Sequence, residues 1–185
     1  MKEAWGSPHT SPWFENSANE KIGELWFQDG DAPPILVKFL FTSDKLSVQV
    51  HPEDEYAQAH GHPRGKTEMW HVLRAEPDSK VAIGLLEGLS PERLRETAIS
   101  AEIERLLNWI PARAGDTFFV PAGTIHAIGS GLVICEIQQL SDVTYRLYDY
   151  NRLPKRELHL DDSVAVSRLT PGPDPKTEAT DSARQ

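Results

Sequence analysis

Two imidazoles, a carboxylate and an amide are the groups in this sequence whose order along the chain suits the binding of a metal. Residues 46–52 (LSVQVHP) alternate like a strand, so Gln49 and His51 share one face. Glu68 opens an apolar run suited to a neighbouring strand, and His126 follows a turn. This donor set suits zinc or another borderline divalent ion and leaves coordination positions for water or substrate. We therefore predict that Gln49, His51, Glu68 and His126 bind one divalent metal.

The turn before His126 has a pattern of its own. Residues 115–126 (GDTFFVPAGTIH) give a turn into an apolar strand, a Pro/Gly turn out of it and a histidine at the start of the next strand. Such a position lies at the mouth of a barrel, where small ligands and metals commonly bind. The pattern resembles the second conserved motif of the cupins, with Ser130 at the position where those proteins often carry asparagine.

A competing ligand set uses His60 and His62 together with Glu68, in an H-x-H…E pattern that also resembles cupins. The glycines and the proline around these two histidines predict a loop, where alternation on one strand face does not hold. We favour the first ligand set and keep the second as the alternative.

Short apolar runs bounded by turn-forming residues recur along the chain and predict strands. The predicted strands are 35–41, 45–51, 68–74, 81–85, 117–120, 132–138 and 145–149. This rhythm favours an antiparallel sandwich or barrel. Ser90 is a suitable N-cap with proline after it, so we predict a short helical insertion at about 90–110. We expect one domain over residues 1–169, and a disordered tail over residues 170–185, which have little to bury.

Composition limits the function classes and the partners. The chain has 185 residues and a formal net charge of −9, without a block of Lys or Arg, so we expect no nucleic-acid or membrane partner. Cys135 is the only cysteine, which excludes an internal disulfide and predicts a cytoplasmic protein. We predict neither a signal peptide nor a transmembrane segment. Both a monomer and a homodimer are compatible with the sequence.

Four motifs together resemble the type I phosphomannose isomerases. They are LSVQVHP at 46–52, DEYA at 54–57, GKTEMW at 65–70 and PAGTIHA at 121–127. The similarity runs from about Phe41 to Asn151, and glutamine at position 49 replaces the first histidine of a general cupin. The resemblance implies a compact bacterial form with a mainly β fold, a single cupin (jelly-roll) barrel. It also implies that the four side chains predicted above hold the metal, with Zn²⁺ as the expected ion.

The same resemblance implies an activity, the metal-dependent interconversion of mannose 6-phosphate and fructose 6-phosphate. The second half of the motif set adds Glu136 as the expected base and Arg146 as the expected partner of the enediolate or of the phosphate. Lys66, two residues before Glu68, is a phosphate contact or the rival base. Ser47 shares the face of the metal ligands on its strand and is a candidate substrate contact.

Two other function classes fit the pattern. One is a catalytically silent sugar-binding or regulatory cupin, and the other is a metal-dependent cupin oxygenase. A redox-active metal in an apolar cavity would indicate the oxygenase, whereas the cations Lys66 and Arg146 favour a sugar phosphate.

Overall fold

Residues 3–16, 19–27 and 34–177 are described by the structure, a computed structural model. The strands within these ranges are Glu24–Phe27 (β1), Ile35–Phe41 (β2), Val48–Val50 (β3), Glu68–Ala75 (β4), Lys80–Leu85 (β5), Leu107–Pro111 (β6), Thr117–Val120 (β7), His126–Ile128 (β8), Leu132–Gln139 (β9), Tyr145–Tyr148 (β10) and Lys176–Thr177 (β11). The helices are Asp54–Ala59 (α1), Pro91–Ile99 (α2), Ile103–Leu106 (α3) and Leu160–Val166 (α4).

The strands form two antiparallel sheets. The larger sheet has the order β1-β2-β9-β4-β7-β11, and the smaller one has the order β10-β3-β8-β5-β6. The predicted fold class, mainly β with a short helical insertion, is therefore confirmed, and two antiparallel sheets agree with a cupin fold. The seven predicted strands are present, and their bounds differ from the prediction by at most three residues at either end.

Two hydrophobic clusters hold the sheets in place. The first joins the sheets, because Trp70 and Phe118 of the larger sheet pack in one cluster with Val81 and Ile128 of the smaller one. In the second cluster the valines of β3 pack with residues of α2 and α4. Each large apolar side chain that is fully buried contributes about 1.5–3 kcal/mol. Because those valines belong to the helix-covered cluster, Gln49 between them faces the other sheet.

Cross-strand register places the polar side chains of the interior beside one another. The row in the larger sheet consists of Lys38, Glu136 and Trp70, on β2, β9 and β4. The row in the smaller sheet consists of Arg146, Gln49 and His126, on β10, β3 and β8. Directly opposed residues of an antiparallel pair have Cβ atoms about 4.5–5.5 Å apart. Each sheet therefore supplies one row of three closely spaced side chains.

The helical segment starts as predicted and ends earlier. The hydroxyl of Ser90 accepts a hydrogen bond from the Arg93 amide at 3.1 Å, and Pro91 occupies the first helical position. The insertion predicted over 90–110 is helical only as far as Leu106, because the following five residues pair with β5 as an edge strand. Such pairing outweighs local helical preference. The strands β1 and β11 and the helices α1 and α4 were not predicted from the sequence. None of the described helices is long and apolar enough to cross a membrane.

The last described residues follow the edge of the larger sheet. The carbonyl of Pro175 accepts a hydrogen bond from the Phe119 amide at 2.9 Å, and β11 pairs with β7. Residues 175–177 are thus paired with the sheet. Residues 170–174 are described without regular secondary structure, and residues 178–185 of the predicted disordered tail lie outside the described residues.

Two glycines bring the loops around His51 close together. A Cβ on Gly65 would lie 2.3 Å from the Pro52 carbonyl oxygen, so a side chain at this position would force the backbone apart. Gly123 has a φ of 81° and donates a hydrogen bond to the His51 carbonyl at 2.7 Å. The left-handed conformation favours glycine there. The Pro/Gly turn seen in the sequence is therefore hydrogen-bonded to the end of β3, which places the start of β8 next to His51.

Candidate metal centre and active site

Three of the predicted metal ligands meet between the sheets. His51 follows β3, Glu68 begins β4 and His126 begins β8, and each of the three is 1% exposed. One ligand atom from each side chain lies within 4.8 Å of the others. The contact between the two sheets brings these three residues together, although they are far apart in the sequence. Among the described residues these three form a cluster of the kind that could hold a metal ion.

Backbone carbonyls orient both imidazoles. His51 Nδ1 lies 2.8 Å from the Val143 carbonyl oxygen, and His126 Nδ1 lies 2.8 Å from the Thr124 carbonyl oxygen. Because a carbonyl only accepts, each Nδ1 carries the proton and each Nε2 keeps its lone pair. Burial and the neighbouring Lys66 cation lower the pKa of His51 to about 3, and burial also lowers the pKa of His126. Both rings are neutral, as metal ligation requires.

The clearest sign of an absent partner is His51 Nε2. This atom is buried and has no hydrogen-bond partner among the described residues, although Glu68 Oε1 lies 3.1 Å away. Leaving a buried polar atom without a partner costs about 1–3 kcal/mol. A divalent cation between His51, Glu68 and His126 would satisfy the nitrogen and offset the buried carboxylate. The donor chemistry and the orphaned nitrogen therefore fit a metal.

Gln49 lies at the edge of this cluster. Its Nε2 is 3.3 Å from His126 Nε2, and its Oε1 accepts a hydrogen bond from the Ser47 hydroxyl at 3.3 Å. A half-turn of the amide exchanges the positions of oxygen and nitrogen and would bring the oxygen to the cluster. The position of Gln49 is thus compatible with the predicted fourth ligand.

Glu68 is charged in spite of its burial. Burial alone would raise its pKa, but Lys66, whose Nζ lies 2.8 Å from Glu68 Oε1, outweighs burial and holds the pKa well below its usual value. Burial alone would also lower the pKa of Lys66, but Glu68 and Glu136 outweigh it and raise the pKa. The pair is therefore an ammonium and a carboxylate, and Lys66 is a donor at neutral pH.

The second buried carboxylate, Glu136, behaves differently. It borders a cavity of about 360 Å³ that is also lined by Ser47, Gln49, Lys66 and Arg146. Burial and the charge of Glu68 raise the pKa of Glu136 to about 7, although Lys66 and Lys38 oppose this shift. A carboxyl group with such a pKa can take up and return a proton near neutral pH. The indole Nε1 of Trp70 donates hydrogen bonds to both carboxylates, at 3.1 Å to Glu68 and 3.0 Å to Glu136.

Lys38 is a member of the site that the sequence analysis missed. It is 4% exposed, and its Nζ lies 3.7 Å from Glu136 Oε1 and 3.6 Å from Glu24 Oε2. It also lies over the Trp26 ring, 4.3 Å from the ring centroid. The available signal was a single lysine in the middle of the apolar run 35–41, a position that in a buried strand requires an anionic partner.

The other sequence-predicted residues lie as follows. Arg146 is half-buried, lines the cavity and donates from Nη1 to the Glu157 carbonyl at 2.9 Å. Ser47 is buried beside Gln49. The alternative ligand His60 is exposed at the end of α1 and stacks on Tyr56 with ring centroids 3.9 Å apart. His60 and His62 lie outside the three-residue cluster.

The known proteins that this chain resembles are named as mannose-6-phosphate isomerases. The mannose-6-phosphate isomerase of Streptococcus mutans is 46% identical over 137 residues, which is 72% of this chain and 43% of the relative. A mannose-6-phosphate isomerase of Bacillus subtilis is 42% identical over 169 residues, 84% of this chain and 53% of the relative. The chain belongs to the mannose-6-phosphate isomerase family.

The structural comparison agrees with this family. The crystal structure of the mannose 6-phosphate isomerase from Bacillus subtilis superimposes with a TM-score of 0.71 and 36% sequence identity, over 79% of this chain and 48% of that chain. No protein-family model matches the chain. The chain spans about half the length of the curated family members that it matches.

The geometry predicts that metal binding depends on His126. Substituting His126→Ala removes a neutral, oriented nitrogen from the cluster, and we expect the bound Zn²⁺ to fall from about one equivalent to a small fraction. Elemental analysis after dialysis against a defined free Zn²⁺ concentration measures this. His60→Ala is the matched control and should retain the metal. Full occupancy in His126→Ala together with loss in His60→Ala would establish the alternative ligand set.

Proposed function

We propose that this chain interconverts mannose 6-phosphate and fructose 6-phosphate with one bound divalent metal, Zn²⁺ being the expected ion. The observation that carries the proposal is a buried carboxyl group with a raised pKa, Glu136, in a cavity that Lys66 and Arg146 also line, next to a cluster suited to a metal. The names of the relatives support the same activity. An aldose–ketose isomerisation needs these parts, because one proton moves between C2 and C1, the hydroxyl proton moves between O2 and O1, and charge develops on the two oxygens in between.

In this proposal Glu136 is the base, and Lys66 is not. A base must be unprotonated when substrate binds, and the pKa of Glu136 at about 7 allows this. Lys66 has a raised pKa and donates to Glu68, so it carries its proton at neutral pH. Glu136 is also held in place, because Trp70 Nε1 donates to its Oε2. Its other oxygen, 3.7 Å from Lys38 Nζ, is the one that accepts the C2 proton and returns it to C1.

Charge stabilisation falls to the cations around the cavity. A divalent ion held by Gln49, His51, Glu68 and His126 would polarise the sugar carbonyl and hydroxyl oxygens. Lys66 lines the cavity next to that site and donates to the developing oxyanion. Arg146 presents a guanidinium that binds either the enediolate or the phosphate. Ser47, within reach of Gln49, is a hydrogen-bonding partner for a sugar hydroxyl.

The direct test of the activity is turnover of mannose 6-phosphate in a coupled assay for fructose 6-phosphate. We expect turnover by the metal-loaded protein, loss of turnover after chelation and recovery when Zn²⁺ is added back, because the substrate oxygens then regain their polarising partner. Sugar phosphate binding without turnover would instead indicate a silent sugar-binding cupin. Oxygen consumption with a redox-active metal and no isomerisation would indicate an oxygenase.

Glu136→Gln tests the identity of the base. The amide keeps the shape of the side chain but cannot accept the proton, so we expect a loss of roughly a hundredfold or more in kcat, the usual scale for general base catalysis. Exchange of the substrate C2 proton with solvent, followed by NMR, measures the step itself. Bound metal should be unchanged. Proton exchange at a near wild-type rate would rule out Glu136 as the base.

The pH dependence of kcat/KM reports the same group. The deprotonated form of Glu136 is the active one, so the rate should rise tenfold per pH unit up to the pKa of Glu136, which is about 7 before a cation binds, and then level off. A bound cation near Glu68 favours the charged carboxylate and moves this limb to lower pH. Lys38→Met removes a charge that holds the pKa down, so it should move the limb to higher pH. A limb that does not move in this variant would contradict the assignment.

A further inference from the structure

The loop that follows β10 returns to the same strand. The amide of His159 donates to the Arg146 carbonyl at 2.8 Å, and the Arg146 amide donates to His159 Nδ1 at 3.0 Å. Residues 149–157 therefore leave the strand and come back beside Arg146. As a result Arg156 borders the same cavity as Arg146 and Glu136, although it lies far from every motif in the sequence.

Arg156 is held in one orientation by a buried carboxylate. Its Nε donates to Asp149 Oδ2 at 2.8 Å, and its Nη2 donates to Asp149 Oδ1 at 2.6 Å. The Asp149 side chain is 7% exposed, and the Arg156 side chain is 33% exposed. The paired contacts fix the guanidinium plane, and Nη1 has no hydrogen-bond partner among the described residues. The free edge of a fixed guanidinium is thus available at a cavity wall.

Two guanidiniums, those of Arg146 and Arg156, therefore border one cavity, whose wall also carries the Glu3 carboxylate. Arg146 forms no ion pair with a described carboxylate, and its buried Nε has no hydrogen-bond partner among the described residues. Burial and the charge of Arg156 lower the pKa of Arg146, whereas Asp149, Glu3 and Glu157 oppose the shift and offset part of the repulsion between the two cations. An anion that contacts both side chains would relieve this repulsion and satisfy the orphaned N–H group.

We infer that Arg156 is a second guanidinium for the phosphate group of the substrate, positioned by Asp149 next to Arg146. The inference rests on the proposed function, because a sugar phosphate supplies the dianion. Three phosphate oxygens can accept from two planar forks at once, which fixes the direction of the sugar as well as its affinity. Arg156 binds the non-reacting end of the substrate, while the proton transfer takes place at Glu136.

Arg152 provides a matched control, because it binds the same carboxylate away from the cavity. Its Nη1 donates to Asp149 Oδ1 at 3.0 Å, and its guanidinium lies 5.0 Å from the centroid of the Tyr150 ring. Arg152→Gln and Arg156→Gln each remove one of the two cations that bind Asp149. Only the second variant changes the proposed phosphate site.

The test compares both variants with the wild type, using mannose 6-phosphate, free mannose and inorganic phosphate. For Arg156→Gln we expect a tenfold or larger rise in KM for mannose 6-phosphate and in the inhibition constant of inorganic phosphate. Slow turnover of free mannose should stay within about twofold of the wild-type value, and Arg152→Gln should stay within about twofold on every measure. Equal losses on both sugars, or an unchanged phosphate constant, would overturn the inference.

Calorimetric titration with inorganic phosphate separates this inference from the proposed function. If the wild type binds phosphate at least tenfold more tightly than Arg156→Gln while neither protein isomerises mannose 6-phosphate, the isomerase proposal fails and the phosphate site stands. If both proteins isomerise mannose 6-phosphate and bind phosphate equally well, the isomerase proposal stands and the assignment of Arg156 to the phosphate fails. If Arg156→Gln does not fold, Arg156→Lys keeps a cation beside Asp149 but lacks the fork, and its phosphate affinity should still fall several-fold.

Discussion

The buried ion pair between Lys66 and Glu68 is the interaction on which the rest of the site depends. Their charged atoms are 2.8 Å apart, and neither side chain is more than 6% exposed. Breaking such a pair by removing one partner costs about 3–5 kcal/mol, because an uncompensated charge stays buried. Lys38 and Glu136 form a second, longer contact of the same kind nearby. The four side chains carry two charges of each sign when both carboxylates are ionised, so a bound divalent cation would make the interior positive and favour an anionic substrate.

The same pair explains why two glutamates a few ångströms from one indole differ in acidity. Glu68 faces the ammonium of Lys66, which keeps its pKa well below the usual value. Glu136 faces the charge of Glu68 and a more distant lysine, so burial dominates and its pKa rises to about 7. One carboxylate is thereby suited to bind a metal and the other to exchange a proton. The different surroundings of the two carboxylates produce this difference in pKa, which is a common arrangement in acid–base catalysis.

The sequence predicted those parts of the site that depend on short-range patterns. Alternation along one strand placed Gln49 and His51 on one face, and the Pro/Gly turn located His126. The missed residues depend on long-range geometry. Lys38 pairs with a strand almost a hundred residues away along the chain, and Arg156 reaches the cavity only because its loop returns to β10. The strand after α3 was assigned to the helical insertion for the same reason, since its pairing with β5 is invisible in local composition.

The proposed substrate is a phosphorylated sugar, which an acidic protein would have to hold through individual contacts. The formal charge of −9 repels a dianion at long range, but salt screens exposed charges beyond about 8–10 Å. The cavity wall carries the cations Lys38, Lys66, Arg146 and Arg156 together with the acidic residues Glu3, Glu24, Glu136 and Asp142. Lys66 and Arg156 are fixed by carboxylates, whereas Arg146 is fixed by a carbonyl and retains its whole charge for a ligand. In the proposed function, capture of the sugar phosphate would therefore depend on the geometry of these contacts more than on the overall charge of the chain.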